Sequence, residues 1–210
     1  MGWVGLLGMV MTDASAAFPI SHALIYSGPT NPPQTNLLRN QIAFLNQPAQ
    51  PPHAIHLPCT GLLIVLSSWG GNIFEARSLY GLIRALPFPV EINAIGAVQS
   101  AAVPLMLAAD RRTASPDATF LFHPWTWGSE PHPGRSLDQL QQIPLQLEDD
   151  IRWAENTFSL RSGLKSAEIK QFELFTSVQI KDANFALKYG LVHQVIERKI
   201  PAGIITWNIA

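Results

Sequence analysis

Apolar residues fall along this chain in two alternating patterns: short unbroken runs, and longer stretches in which they return every three or four positions. The runs Ala23 to Ser27, Leu62 to Leu66, Val90 to Ile95, Thr119 to His123 and Leu191 to Ile196 read as strands. Leu62-Leu63-Ile64-Val65-Leu66 is apolar at every position, as a strand of a parallel sheet buried on both faces must be. Between the runs, helical spacing predicts helices over Asn36 to Asn46, Asn72 to Leu86, Ser100 to Ala109, Ser166 to Phe175 and Lys181 to Tyr189, the last ended by Gly190. Strand alternating with helix argues for an α/β fold with helices flanking a mostly parallel sheet.

Two stretches depart from that alternation. Trp125 to Arg135 mixes tryptophan, proline, glycine and His132, and reads as a structured loop or flap. After it, Leu137 to Leu160 reads as one long helix whose Leu140, Leu147, Ile151 and Phe158 form a single apolar seam, with Pro144 expected to kink or break it. A long helix set beyond a finished α/β core is a natural element for packing against a partner chain, the alternative being that it covers its own sheet.

Length and composition narrow the function. The 210 residues suit one domain with a substantial core, here taken as residues 21–200, preceded by an arm over 1–20. A net charge of −1 without a basic block excludes a nucleic-acid footprint. The apolar run Trp3 to Met11 has no Lys or Arg before it, so it reads as an arm, loose or packed on a neighbouring subunit, rather than a secretory signal. No segment has the ~20 apolar residues of a membrane span. Cys59 is the single cysteine, which excludes an intrachain disulfide and fits a reducing, cytoplasmic setting. No histidine spacing matches a zinc site and no Walker-type phosphate loop is present, so neither a metal nor another cofactor is expected.

Three junctions carry candidate chemistry. Ser100 lies where a strand gives way to a helix, a position that projects a hydroxyl beside backbone amides; the same serine could equally be a plain helix cap. Gly70-Gly71 ends an apolar strand, where a backbone can approach a ligand closely, and the amides of Gly71 and Ala101 could together stabilise an oxyanion or polarise a thioester carbonyl. His123 ends a third strand before Pro124 and is the best base for Ser100, whose hydroxyl needs one to become nucleophilic. His22, His53, His56, His132 and His193 lack that context.

Taken in order, these segments resemble the proteolytic-subunit family of the Clp protease, over about His22 to Ile196. Leu66-Ser67-Ser68-Trp69-Gly70-Gly71-Asn72 is similar to the family's serine-proline-glycine-glycine segment, with Trp69 in place of proline. Gly96 to Ala101 matches the nucleophile segment, Phe122-His123-Pro124 the histidine segment, and Ala186-Leu187-Lys188-Tyr189-Gly190-Leu191-Val192 the signature before the last strand. The resemblance implies a ClpP/crotonase-like α/β fold of repeated β-β-α units, with Leu137 to Leu160 as a protruding handle helix. It further implies a serine-type endopeptidase using Ser100 and His123, with subunits stacked as oligomeric rings around a chamber. Peptides or unfolded proteins would be its substrates, and ATP use would fall to a separate unfoldase partner.

The family's third catalytic member, an aspartate, has no match. Counting back from the Ala186 to Val192 signature reaches Val178; counting forward from Gly163 reaches Thr176. The sequence leaves three ways forward. A hydroxyl or backbone group could orient His123, with Thr176 or Ser177 as candidates; Asp182 could be recruited through a different loop path, although it could also cap the following helix; or the chain could be a weak or inactive relative with a structural or regulatory role. A crotonase-like acyl-CoA enzyme is the enzymatic alternative.

Overall fold

The computed structural model describes residues 18–47, 58–126 and 136–210. In chain order the elements are β1 (His22–Ser27), α1 (Pro32–Leu45), β2 (Leu62–Ser68), α2 (Ile73–Arg84), β3 (Val90–Gln99), α3 (Ala102–Met106), β4 (Arg111–Ala114), β5 (Thr119–Phe122), α4 (Leu137–Arg161), α5 (Ser166–Gln171), β6 (Gln179–Asp182), α6 (Ala183–Lys188), β7 (Gln194–Val195) and β8 (Ile205–Ile209). The strands form one eight-stranded sheet in the order β6-β5-β3-β2-β1-β8, with β4 also on β3 and β7 on β4. Every pairing is parallel except β5 with β6.

Strand β2 shows why the sheet lies at the centre. Leu62, Ile64 and Leu66 point into the main core with Leu79 and Ile83 of α2. Leu63 and Val65 point the other way, into a smaller cluster with Ala23 that Ile200 and Ile204 help to cover. Alternate residues of one strand thus fill two apolar layers, which is why its sequence has no polar face. The segment after β7 is held to the sheet by Arg198, whose Nε and Nη2 lie 2.9 and 3.2 Å from the two carboxylate oxygens of fully buried Glu91.

Strand β3 serves two neighbours in succession. Its first half, Glu91 to Ala94, pairs with β4, and its last residues, Ala97 to Gln99, pair with β5. A shift in register between Leu66 and Ser68 on the β2 side accompanies the change. The sheet splits here, and the longer limb of β3 delivers the chain to Ser100.

Several elements differ from the sequence reading. The helix expected over Ser100 to Ala109 is helical only over Ala102–Met106, because Ser100 itself takes a left-handed turn. The predicted break at Pro144 does not occur: α4 runs through it as one 25-residue helix. Ser136 starts that helix with a capping box, its Oγ accepting from the Gln139 amide while the Gln139 side chain accepts from the Ser136 amide. Pro144 removes one N–H on an exposed face, which water can compensate. The buried face of α4 consists of Asp150, Ala154, Thr157 and Phe158; of the expected seam, Phe158 is in the core, Ile151 is half-buried, and the side chain of Leu140 lies outside the described residues. Strands β6 and β8 are additional to the predicted set; β6 occupies residues read as loop and helix start, so α6 begins at Ala183 instead of Lys181, and α5 ends at Gln171, short of Phe175. Residues 1–17 of the 1–20 arm and most of the Trp125 to Arg135 loop lie outside the described residues.

Candidate active site

Register places Ser100 beside β5. Gln99 pairs with Leu121, and the next amide, that of Ser100, donates to the Leu121 carbonyl at 2.8 Å. Ser100 then adopts φ +52°, a left-handed conformation rare for a residue with a side chain, and the chain turns directly into Ala101 and α3. Strain of this kind costs ~1–3 kcal/mol and is sustained only by tight surroundings. Gly70 supplies part of that constraint: a Cβ on it would sit 2.6 Å from the Gln99 carbonyl oxygen and 2.7 Å from the Ser100 Cβ. Only glycine allows the two strand ends to approach this closely.

His123 follows β5 by one residue, on the same strand end. Its Nε2 lies 2.8 Å from Ser100 Oγ, and its Nδ1 lies 2.6 Å from the carbonyl oxygen of Pro124. A carbonyl can only accept, so Nδ1 carries the proton. In the neutral ring Nε2 is then the acceptor for the Ser100 hydroxyl. Both side chains are half-buried.

Gly71 joins this centre through a short bridge to Thr30. The bridge uses the Gly70 carbonyl, which accepts from Thr30 N–H at 2.8 Å, and the Asn72 amide, which donates to Thr30 at 3.1 Å. Neither the Gly71 nor the Ala101 amide has an acceptor among the described residues. Gly71 has φ +142°, and a Cβ there would meet Asn31 Oδ1 at 2.6 Å, so this position too requires glycine. Asn72 caps α2, accepting from the Phe74 and Glu75 amides at 2.8 and 3.3 Å. An open cleft of ≈ 740 Å³ runs past Gly70, Gly71, Ser100, Ala101 and His123, with Trp69, Trp125, Leu147 and Asp150 on its walls.

The three residues considered for orienting His123 lie elsewhere. Asp182 pairs with Thr119 at the far end of the β5–β6 ladder and caps α6, accepting from the Phe185 amide at 2.7 Å. Ser177 donates to Glu173 Oε2 at 2.9 Å and accepts from Gln179 Nε2 at 2.8 Å. Thr176 is exposed in the turn before β6, its amide bonded to the Glu173 carbonyl. None of the three hydrogen-bonds to His123. Since Phe122 pairs with Gln179, one further step of the ladder sets Val178, 67% exposed, opposite His123. Counting back from the Ala186 signature reaches that same residue.

Sequence reasoning missed two participants. The Pro124 carbonyl has no side-chain signature; the histidine–proline pair was visible, but not the fold of that peptide back onto the ring. Asp150 stands in an acid-rich stretch of α4 with nothing in its sequence context to single it out, yet it is buried on the cleft wall, and burial pushes its carboxyl above the usual carboxylate range. The remaining described histidines are remote in role: His22 stacks on Trp207 and His193 accepts from the Arg112 amide. His53, His56 and His132 lie outside the described residues. Among the described residues, no group of three His, Cys, Asp or Glu could hold a metal ion, and no helix is long and apolar enough to cross a membrane.

Comparison with known proteins bears on this arrangement in two ways. The family model described as Clp protease matches residues 21–199. Among solved structures, the chain is similar to a mutant of ClpP1 from Listeria monocytogenes, with a TM-score of 0.68 at 17% identity over 84% of this chain and 92% of that one. No curated protein gives a significant match. At that identity the structural likeness speaks for the fold, a ClpP-like α/β architecture. A family match over most of the sequence, on a backbone that follows nearly the whole of a ClpP1 subunit, means that this protein belongs to the Clp protease family.

Proposed function

We propose that this chain is a serine-type endopeptidase in which Ser100 is the nucleophile and His123 the general base. The observation that carries the reading is the 2.8 Å contact between Ser100 Oγ and His123 Nε2, with the opposite ring nitrogen committed to the Pro124 carbonyl. Ser100 Oγ attacks the scissile carbonyl as Nε2 takes its proton. The amides of Gly71 and Ala101, which have no acceptor among the described residues, receive the developing oxyanion. His123 then returns the proton to the departing amine, leaving an acyl ester on Ser100. A water, deprotonated by the same nitrogen, releases the acid and restores the serine.

The Pro124 carbonyl takes over one task of the family's aspartate and only part of another. It fixes the tautomer, so the base faces Ser100. It supplies a dipole instead of a full negative charge, so the imidazolium formed during attack is less stabilised. Turnover below that of a complete triad follows. A catalytically weak or inactive structural or regulatory subunit is the second reading, and the absence of a carboxylate at His123 is what favours it.

Membership of the family supports an oligomer, and we extend the proposal to a ring-forming homo-oligomer enclosing the Ser100 sites, in which α4 is the handle between rings. Peptides or unfolded chains are its substrates, delivered by a separate ATP-driven unfoldase. Labelling with a fluorophosphonate probe tests the core of this reading. The expected result is labelling of the wild type that disappears in Ser100→Ala and weakens at least tenfold in His123→Ala. Absence of labelling in folded, assembled wild-type protein would transfer the assignment to the inactive subunit.

A further inference from the structure

Among the described residues, the ionisable side chains lining the cleft are His123 and Asp150, and Asp150 is poorly satisfied. Its side chain is 1% exposed, yet its nearest donors are distant: Gln146 Nε2 at 3.4 Å and Arg77 Nη1 at 3.5 Å, both on Oδ1. Arg77 makes its short contact elsewhere, at 2.7 Å to Asp149. Oδ2 has no donor among the described residues. An ionised carboxylate has about four acceptor sites, so a buried one with two long contacts retains most of its unmet demand. The raised pKa expresses the same deficit.

The surroundings define what would meet that demand. Asp149 is met by the short Arg77 contact and by the charge of Arg152, so the demand left over is that of Asp150, which a single cation would meet. Leu147 stands on the same face of α4, three positions before Asp150, and Trp69 and Trp125 form apolar walls of the same cleft. A flexible methylene stem with a cationic head matches this arrangement: the stem lies against Leu147 and the indoles, and the head reaches the carboxylate with charge-assisted hydrogen bonds. A cleft of ≈ 740 Å³ has room for such a side chain next to Ser100. An acidic side chain would meet like charge, and a neutral apolar one would leave Asp150 unsatisfied.

We propose that Asp150 makes this cleft selective for peptides carrying Lys or Arg on the acyl side of the scissile bond. The inference rests on the peptidase reading above for its catalytic readout. Matched fluorogenic peptides differing only at that residue, arginine against citrulline and lysine against norleucine, give the first test. In the wild type the cationic member of each pair should have the higher kcat/KM by about tenfold or more, the discrimination a site built for a polar partner exerts on its neutral analogue. Asp150→Asn keeps the shape, removes the charge, and should bring each ratio to within about twofold, with its melting temperature reporting that it folds. Arg77→Met removes the competing cation and should raise the ratios. Ratios near one in the wild type, or ratios unchanged in Asp150→Asn, would overturn the proposal. If no peptide is cut and the fluorophosphonate does not label, the peptidase reading fails on its own. Fluorescence anisotropy of the same lysine and norleucine peptides on Ser100→Ala protein then decides the selectivity. Lysine peptide bound about tenfold tighter, and only when Asp150 is intact, supports it, and equal binding overturns it.

Discussion

In the proposed mechanism the Pro124 carbonyl at Nδ1 aims His123 at Ser100, but no carboxylate among the described residues stands there to stabilise the protonated ring. The β5–β6 ladder identifies where a carboxylate belongs, since Val178 comes opposite His123 one step beyond the Phe122–Gln179 pair. Val178→Asp is therefore expected to raise the rate of peptide hydrolysis, by at least about tenfold of the ~10⁴ that the third member is worth in an intact triad. Steady-state kinetics of the two proteins would show it, and an unchanged or lower rate would mean that Pro124 keeps the ring out of reach. His193 gives a pH prediction at the same scale. Desolvation, followed by the charges of Arg112, Arg161 and Arg111, lowers its pKa from 6.5 to about 4, and its Nδ1 must stay unprotonated to accept from the Arg112 amide. As pH falls from 6.5 towards 4 the unfolded chain takes up this proton first, so stability declines across that window and is intact above it. Replacing His193 by Asn keeps an acceptor without the titration, and thermal melts between those pH values should lose less stability than the wild type.

Elements rather than single residues set the distance between Ser100 and His123. α4 is fastened at its C-terminal half, where Phe158 contacts Phe122 and Phe175 with ring centroids 5.9 and 5.8 Å apart. Phe122 immediately precedes His123, so the packing of α4 and the position of His123 are linked through one aromatic group. Arg161 adds to the anchor, donating to the carbonyls of Leu107 and Ala109 at 3.0 and 2.8 Å just beyond α3. Truncating fully buried Phe158 to alanine is expected to cost ~3–5 kcal/mol of stability, read from urea unfolding. Its catalytic loss should exceed that of an equally destabilising change on the β1 side of the sheet. Equal losses would show that α4 does not position the site.

At the scale of the whole molecule, the first half of α4 presents apolar surface among the described residues. Leu145 is 66% exposed and Phe74, across a groove of ≈ 630 Å³ from it, is 43% exposed. An exposed apolar side chain such as Leu145 is suited to contact with another subunit. Light scattering coupled to size exclusion should give a mass many times the 23.1 kDa of one chain, and Leu145→Asp should reduce it. A monomer in the wild type would end the chamber proposal, whereas an unaltered mass in the variant would remove this face from the interface.

The strands that build the core were legible because each announces itself locally. Leu62 to Leu66 has no polar residue to spare for a solvated face, and burial on both sides of the sheet requires just that. The long helix was legible from its periodicity, and Ser100, Gly71 and His123 from their places at strand ends. What the sequence could not express were contacts between segments distant along the chain or made by the backbone. β6 is short and mixed in character, and exists as a strand because β5 offers it an antiparallel edge. β8 likewise depends on the free edge of β1. The continuation of α4 through Pro144 depends on an exposed face and a capped start, which local propensity does not register. Asp150 looks like one acid among several on a polar helix, and only the packing of α4 against the cleft turns it inward. The hydrogen bond from His123 to Pro124 belongs to a carbonyl that every residue possesses. Composition and periodicity therefore determined the α/β core and the types of residue at its strand ends; tertiary packing alone decided which groups face one another across the cleft, because that depends on where the chain returns in space.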